Sequence, residues 1–115
     1  MTISEIVELI NGTFVVTCEK NLNLEINKAF ASDLMSDVLT IDENNLLLIT
    51  GLANTQTIRT ADMAEIKNVV IGRCKVITPD MIELAKNLEI NLVSSPYSLY
   101  HISGILFKEG IEPIF

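Results

Sequence analysis

Three short apolar runs, each followed by a helix-start signal, constrain this chain more than anything else in it. Leu46-Leu-Leu-Ile-Thr50, Asn68-Val-Val-Ile71 and Ile90-Asn-Leu-Val93 carry apolar residues at consecutive positions. Side chains alternate between the two faces of a strand. Such a run is therefore apolar on both faces and belongs in a sheet covered on both sides. Gly51 breaks the first run, and Asn54 or Thr55 can cap a helix running to about Ile66. Gly72 breaks the second. Thr78-Pro79-Asp80 then supplies a cap, a proline for the first turn and an acid, with Met81, Leu84, Ala85 and Leu88 as an inward stripe. After the third run, Ser94-Ser-Pro96 opens a last helix with Leu99, Ile102 and Leu106 on one face and Gly110 just beyond it. Strands alternating with helices at this spacing predict an α/β fold of three layers, helix/sheet/helix, with a mostly parallel central sheet.

The first forty residues are less regular. Thr2-Ile-Ser-Glu5 reads as a capping box, and Ile3, Ile6, Val7 and Ile10 share one helical stripe. Asn11-Gly12 ends that helix with residues that tolerate the left-handed conformation. Thr13-Phe-Val-Val-Thr-Cys18 is β-branched and reads as a strand. Leu24 and Ile26 alternate with Glu25 and Asn27, as in a short half-exposed strand, and Ala29-Phe-Ala31 reads as another. Ser32 can then cap a helical turn, with Asp33 beside its positive end.

The 115 residues suit a single domain spanning 1-115, with 49% apolar and 20% charged residues. There is no Trp, so the core rests on Ile, Leu and Val. Eight basic against fifteen acidic residues give a formal charge of −7. Phosphate backbones and anionic lipid are read mainly by Lys and Arg, and this chain has no basic run. The expectation is no nucleic-acid partner and no membrane partner. Cys18 and Cys74 lack metal-site or redox spacing. They are expected to be small core hydrophobes of a cytoplasmic protein.

One ordered set of segments suggests a family. Ala31-Ser-Asp-Leu-Met-Ser-Asp-Val-Leu39, the run into Gly51, Val69-Val-Ile-Gly72, Pro79 with Ile82-Glu-Leu-Ala85, and Ser95-Pro-Tyr-Ser98 together resemble the DRTGG domain over most of the chain. That resemblance implies a fold like the N-terminal domain of HPr kinase/phosphorylase, which lacks the kinase site. It also implies a kinship with accessory domains of phosphotransacetylases and CBS-containing pyrophosphatases. Such domains look regulatory or assembly-related and need no cofactor. Free-standing members are encoded near iron–sulfur redox genes, which implies a possible protein partner of hydrogenase type. The Asp-Arg-Thr-Gly-Gly signature itself is absent here, and Gly51-Leu-Ala-Asn-Thr-Gln56 stands in its place.

In an open parallel sheet, ligands bind beyond the carboxyl ends of the strands. Three loops should emerge there, each leading into a helix N-terminus whose free N–H groups favour anions. The candidate ligand residues are Gly51, Asn54, Thr55, Arg59, Gly72, Arg73, Lys75, Ser94, Ser95 and Ser98. The expected ligand is a small anion such as a nucleotide. Asp33 and Asp37, four apart, could share a helical face and a Mg²⁺ ion, although helix capping and solvation explain them more simply. His101, the only histidine, has no partner signal and reads as a partly buried structural residue. The apolar surplus around Phe30, Met35 and Val38, flanked by Asp33 and Asp37, suggests a homodimer contact, with completion of the monomer core as the competing use. The functional expectation is a non-catalytic regulatory or assembly module that senses an anionic ligand. The alternatives are an accessory protein for a redox enzyme or a small transferase subunit.

Overall fold

Leu46, Leu47, Leu48, Ile49 and Thr50 are all buried, as a run apolar on both faces requires. They form β3 (Leu46–Thr50), the centre of a six-stranded sheet in a computed structural model that describes all 115 residues. The other strands are β1 (Thr13–Val16), β2 (Lys28–Ala31), β4 (Asn68–Ile71), β5 (Asn91–Ser94) and β6 (Glu112–Pro113). Their spatial order is β1-β5-β4-β3-β2-β6. The pairs β2–β3, β3–β4, β4–β5 and β2–β6 are parallel, and β1 joins β5 antiparallel. The architecture is the expected helix/sheet/helix sandwich with a mostly parallel sheet.

Alternation along the strands divides the core in two. Leu46, Leu48, Val69, Ile71 and Leu92 face α2 (Met35–Val38), α3 (Thr55–Met63) and α4 (Pro79–Asn87). Leu47, Ile49, Val70 and Val93 face α1 (Ile3–Leu9) and α5 (Leu99–Lys108) through Ile3, Ile6, Ile102 and Leu106. From β2 to β5 the chain steps across the sheet in one direction with all its helices on one face. After β5 it returns over the opposite face through α5 to β6, on the far side of β2. No helix is long and apolar enough to cross a membrane.

The helix starts follow their caps. Thr2 forms the capping box with Glu5, while Asn54, Thr78 and Ser98 accept from Thr57, Met81 and His101 N–H groups. Asn11, not Gly12, takes the left-handed position after α1, with φ 53°.

Several local expectations differ from the structure. Leu24–Ile26 forms no strand, and β1 stops at Val16. The helix after β3 ends at Met63, short of Ile66. Cys74 lies exposed in a loop and Cys18 is only half-buried, so neither is a fully buried core residue.

Candidate functional site

The loops after β3, β4 and β5 emerge together at the carboxyl edge of the sheet, held by backbone bonds that extend the ladders. Gly72 N–H donates to Thr50 O, Ser95 N–H to Ile71 O, and Ser32 N–H to Ile49 O, at 2.9–3.0 Å. The β4 and β5 loops are further tied by Arg73 N–H to Tyr97 O and Cys74 N–H to Ser95 O, both 2.9 Å. Arg73 and Cys74 hold this clasp with φ of 67° and 51°. Consecutive left-handed non-glycine residues carry backbone strain and persist only where surrounding contacts fix them. Gly72 permits a close approach at the same place, because a Cβ there would lie 3.1 Å from Tyr97 O and 3.2 Å from Leu99 Cδ2.

Topology separates these loops. The β3 and β4 loops lead to α3 and α4 on one face, whereas the β5 loop leads to α5 on the other. Adjacent loops that part toward opposite faces create the crevice of a topological switch point. The switch point here lies between β4 and β5, whose loops are bonded to each other at its base. The sequence placed all three loops at one rim but could not distinguish among them, because strand order is not written in local pattern.

Most of the neutral rim groups already serve the fold. Ser95 is fully buried, and its hydroxyl donates to Ile10 O at 2.7 Å. Asn54 and Ser98 are occupied as caps, and Thr55 Oγ1 accepts from Arg59 Nη1. The Gly51 N–H donates to the Asp33 carboxylate at 2.7 Å, and the same oxygen accepts from Thr50 Oγ1 at 2.9 Å. The β3 loop therefore already holds an anion belonging to the protein.

Of the candidate cations, Arg59 lies on α3, exposed and without an ion pair, and the other two lie in the β4 loop. Arg73 and Lys75 are exposed and form no ion pair. Ser94 is half-exposed at the end of β5. The first turn of α4 contains Asp80, which complements its own helix dipole, but the first turn of α5 contains no acid. The first turn of α3 contains no acid either, but the Asp33 carboxylate sits beside Gly51 in the loop before it, whereas the loop before α5 is joined to Arg73 through Tyr97 O.

The remaining singled-out residues fall elsewhere. Helix α2 starts at Met35 with Leu34 as its uncapped N-cap residue, and Ser32 Oγ instead accepts from Leu34 N–H at 3.0 Å. Asp33 precedes that helix and turns to the end of β3. Asp33 and Asp37 are consequently not a pair on one helical face. Met35 and Val38 are buried in the monomer core, while Phe30 is partly exposed and Asp33 and Asp37 are exposed. His101 is exposed and stacks on Tyr97, with ring centroids 4.0 Å apart, in place of the expected partial burial.

No protein-family model matches the chain, and no curated protein matches its sequence. Its structure is similar to that of the CBS and DRTGG domains of the regulatory region of Clostridium perfringens pyrophosphatase, complexed with the activator diadenosine tetraphosphate. The TM-score is 0.76 at 15% identity, over 91% of this chain and 45% of that one. The class defined is a DRTGG-like α/β fold. This chain spans less than half the length of the regulatory region it matches.

Proposed function

We propose that this protein is a non-catalytic regulatory module that senses a small anionic ligand, of nucleotide type, in the crevice between β4 and β5. The observation that carries the reading is the coincidence of three features at one place. They are the topological switch point, the acid-free N-terminus of α5, and the unpaired cations Arg73 and Lys75. The phosphate end of the ligand faces α5 and Arg73. The Asp33 carboxylate at the adjacent β3 loop repels a second phosphate but accepts from hydroxyl or amino groups. A ligand with both kinds of group, such as a nucleotide, fits this split rim better than bare phosphate. The activator bound by the structurally similar pyrophosphatase region supports the same ligand class.

A thermal-shift series with adenine mono-, di- and dinucleotide polyphosphates tests the reading. A ligand at a hundred times its dissociation constant stabilises the native state by about 2.7 kcal/mol, which amounts to several degrees in Tm. The shift is expected to vanish in Arg73→Ala and survive in Arg59→Ala. No shift with any nucleotide, or an equal shift in Arg73→Ala, counts against it.

A further inference from the structure

Building on that reading of the crevice, we infer that the outer face of the His101 ring seats the ligand's base, which makes the ligand a purine nucleotide and His101 its specificity-determining residue. The chain's two tyrosines, Tyr97 and Tyr100, and its one histidine, His101, all fall within five residues at the start of α5. There is no Trp, so every ring with an apolar face and a polar edge gathers at this end of the crevice.

Tyr97 ties the ring pair to the crevice. Its carbonyl accepts from Arg73 N–H at 2.9 Å, while its half-buried side chain packs on the α1–α5 side of the core. The His101 ring lies against it, with centroids 4.0 Å apart and planes 20° from parallel. One ring is thus anchored in the core, and the other is exposed. Ser98 fixes the turn beneath them by accepting from His101 N–H at 3.1 Å. With one face of the imidazole turned to Tyr97, the other is open to a third ring. A side chain already held in place loses little freedom when a ligand stacks on it. Tyr100, 90% exposed and without an aromatic neighbour, has no such advantage.

The spacing suits a nucleotide. His101 lies three positions past the Ser98 cap, roughly 4.5 Å along the helix axis. A phosphate at the helix end and Arg73 therefore leaves the ribose to bridge to the ring. Every base has a face that can stack, and the larger face of a purine covers more of the imidazole than a pyrimidine does.

Proton NMR and calorimetric titration of the full chain with ATP, UTP and inorganic triphosphate test this. A single histidine gives one pair of imidazole C–H signals. ATP is expected to move them upfield, as a stacked ring does, and inorganic triphosphate is not. His101→Ala should weaken ATP at least about fivefold and leave inorganic triphosphate unchanged, whereas His101→Phe should keep ATP affinity. UTP should bind less tightly than ATP. Shifts of the Arg73 amide with none at the His101 ring overturn the inference and leave the crevice reading standing. So does an equal loss of ATP and triphosphate in His101→Ala, a loss in Tyr100→Ala instead, or UTP bound as tightly as ATP. Binding of none of the three ligands overturns both.

Discussion

The Asp33 carboxylate accepts from the Gly51 N–H at 2.7 Å, joining the segment after β2 to the end of β3 across eighteen residues of sequence. The same oxygen accepts from the buried Thr50 hydroxyl. Asp33 is thus a fastener between neighbouring strands, and it makes the rim at β3 negative.

Removing that fastener should destabilise the fold moderately. Asp33→Ala leaves the Gly51 N–H and the Thr50 hydroxyl without their acceptor. The site is exposed enough for water to compensate in part, so the loss should be about 1–2 kcal/mol. Asp33→Asn keeps an acceptor oxygen and should lose less than half as much. Urea midpoints of the two variants check the order.

The amide pair at the opposite edge of the sheet should matter more. Asn91 is fully buried; it accepts from Cys18 N–H at 2.7 Å and donates to Asn68 Oδ1 at 2.9 Å. Asn91→Leu keeps the volume but strands both partners in low-dielectric surroundings. The expected cost is about 2–4 kcal/mol, read by chemical denaturation.

Two glycines at strand ends should respond differently to alanine. At Gly72 the added Cβ meets backbone and side chain at 3.1 and 3.2 Å, so Gly72→Ala must push the β5 loop away. A loss of about 1–3 kcal/mol is expected. At Gly51 the nearest atoms are the Asp33 oxygens at 3.4 Å, an ordinary contact. Gly51→Ala should leave the melting temperature nearly unchanged. Paired thermal melts decide this.

The capping box sets a pH response. Glu5 is held below the usual glutamate range chiefly by the Thr2 N–H, then by the Thr2 hydroxyl. A carboxyl with a lowered folded value stabilises the fold above its unfolded value, and that contribution is lost as pH falls through the folded value. Thr2→Ala removes only the hydroxyl. The Glu5 carboxyl, followed by carbon NMR, should move upward only part of the way to the ordinary value.

Much of the architecture was legible because both periodicities were clear. Leu46–Thr50, Asn68–Ile71 and Asn91–Ser94 are strands, and Asn54 and Thr78 cap the helices that follow. The last helix does not open at Ser94–Pro96 as its sequence suggests: Ser94 ends β5, and α5 starts at Leu99 with Ser98 as its cap. The end of α3 was not legible, because Glu65 takes the left-handed stop at φ 60° where a glycine would have marked it. The Ser32–Leu39 segment misled for another reason. Its helix is a single turn without a side-chain cap, and Asp33 answers to Gly51, a partner distant in sequence. Met35 and Val38 look equally suited to an interface or a core in sequence, and only the packing of α2 on the sheet places them in the core. The three loops after β3, β4 and β5 were placed together at one edge of the sheet from the sequence, and they do leave it together. Which of their residues face solvent depends on the return path through α5, which no local pattern encodes.

The central claim is that the β4–β5 crevice, not the β3 loop, receives the anion. Amide chemical-shift mapping during titration with an adenine nucleotide tests it most directly. The account predicts shifts concentrated at Arg73, Cys74, Lys75 and Ser94 through Leu99, with little change at Gly51 to Asn54. Shifts centred on Gly51 to Asn54, or none along the rim at saturating nucleotide, would contradict it.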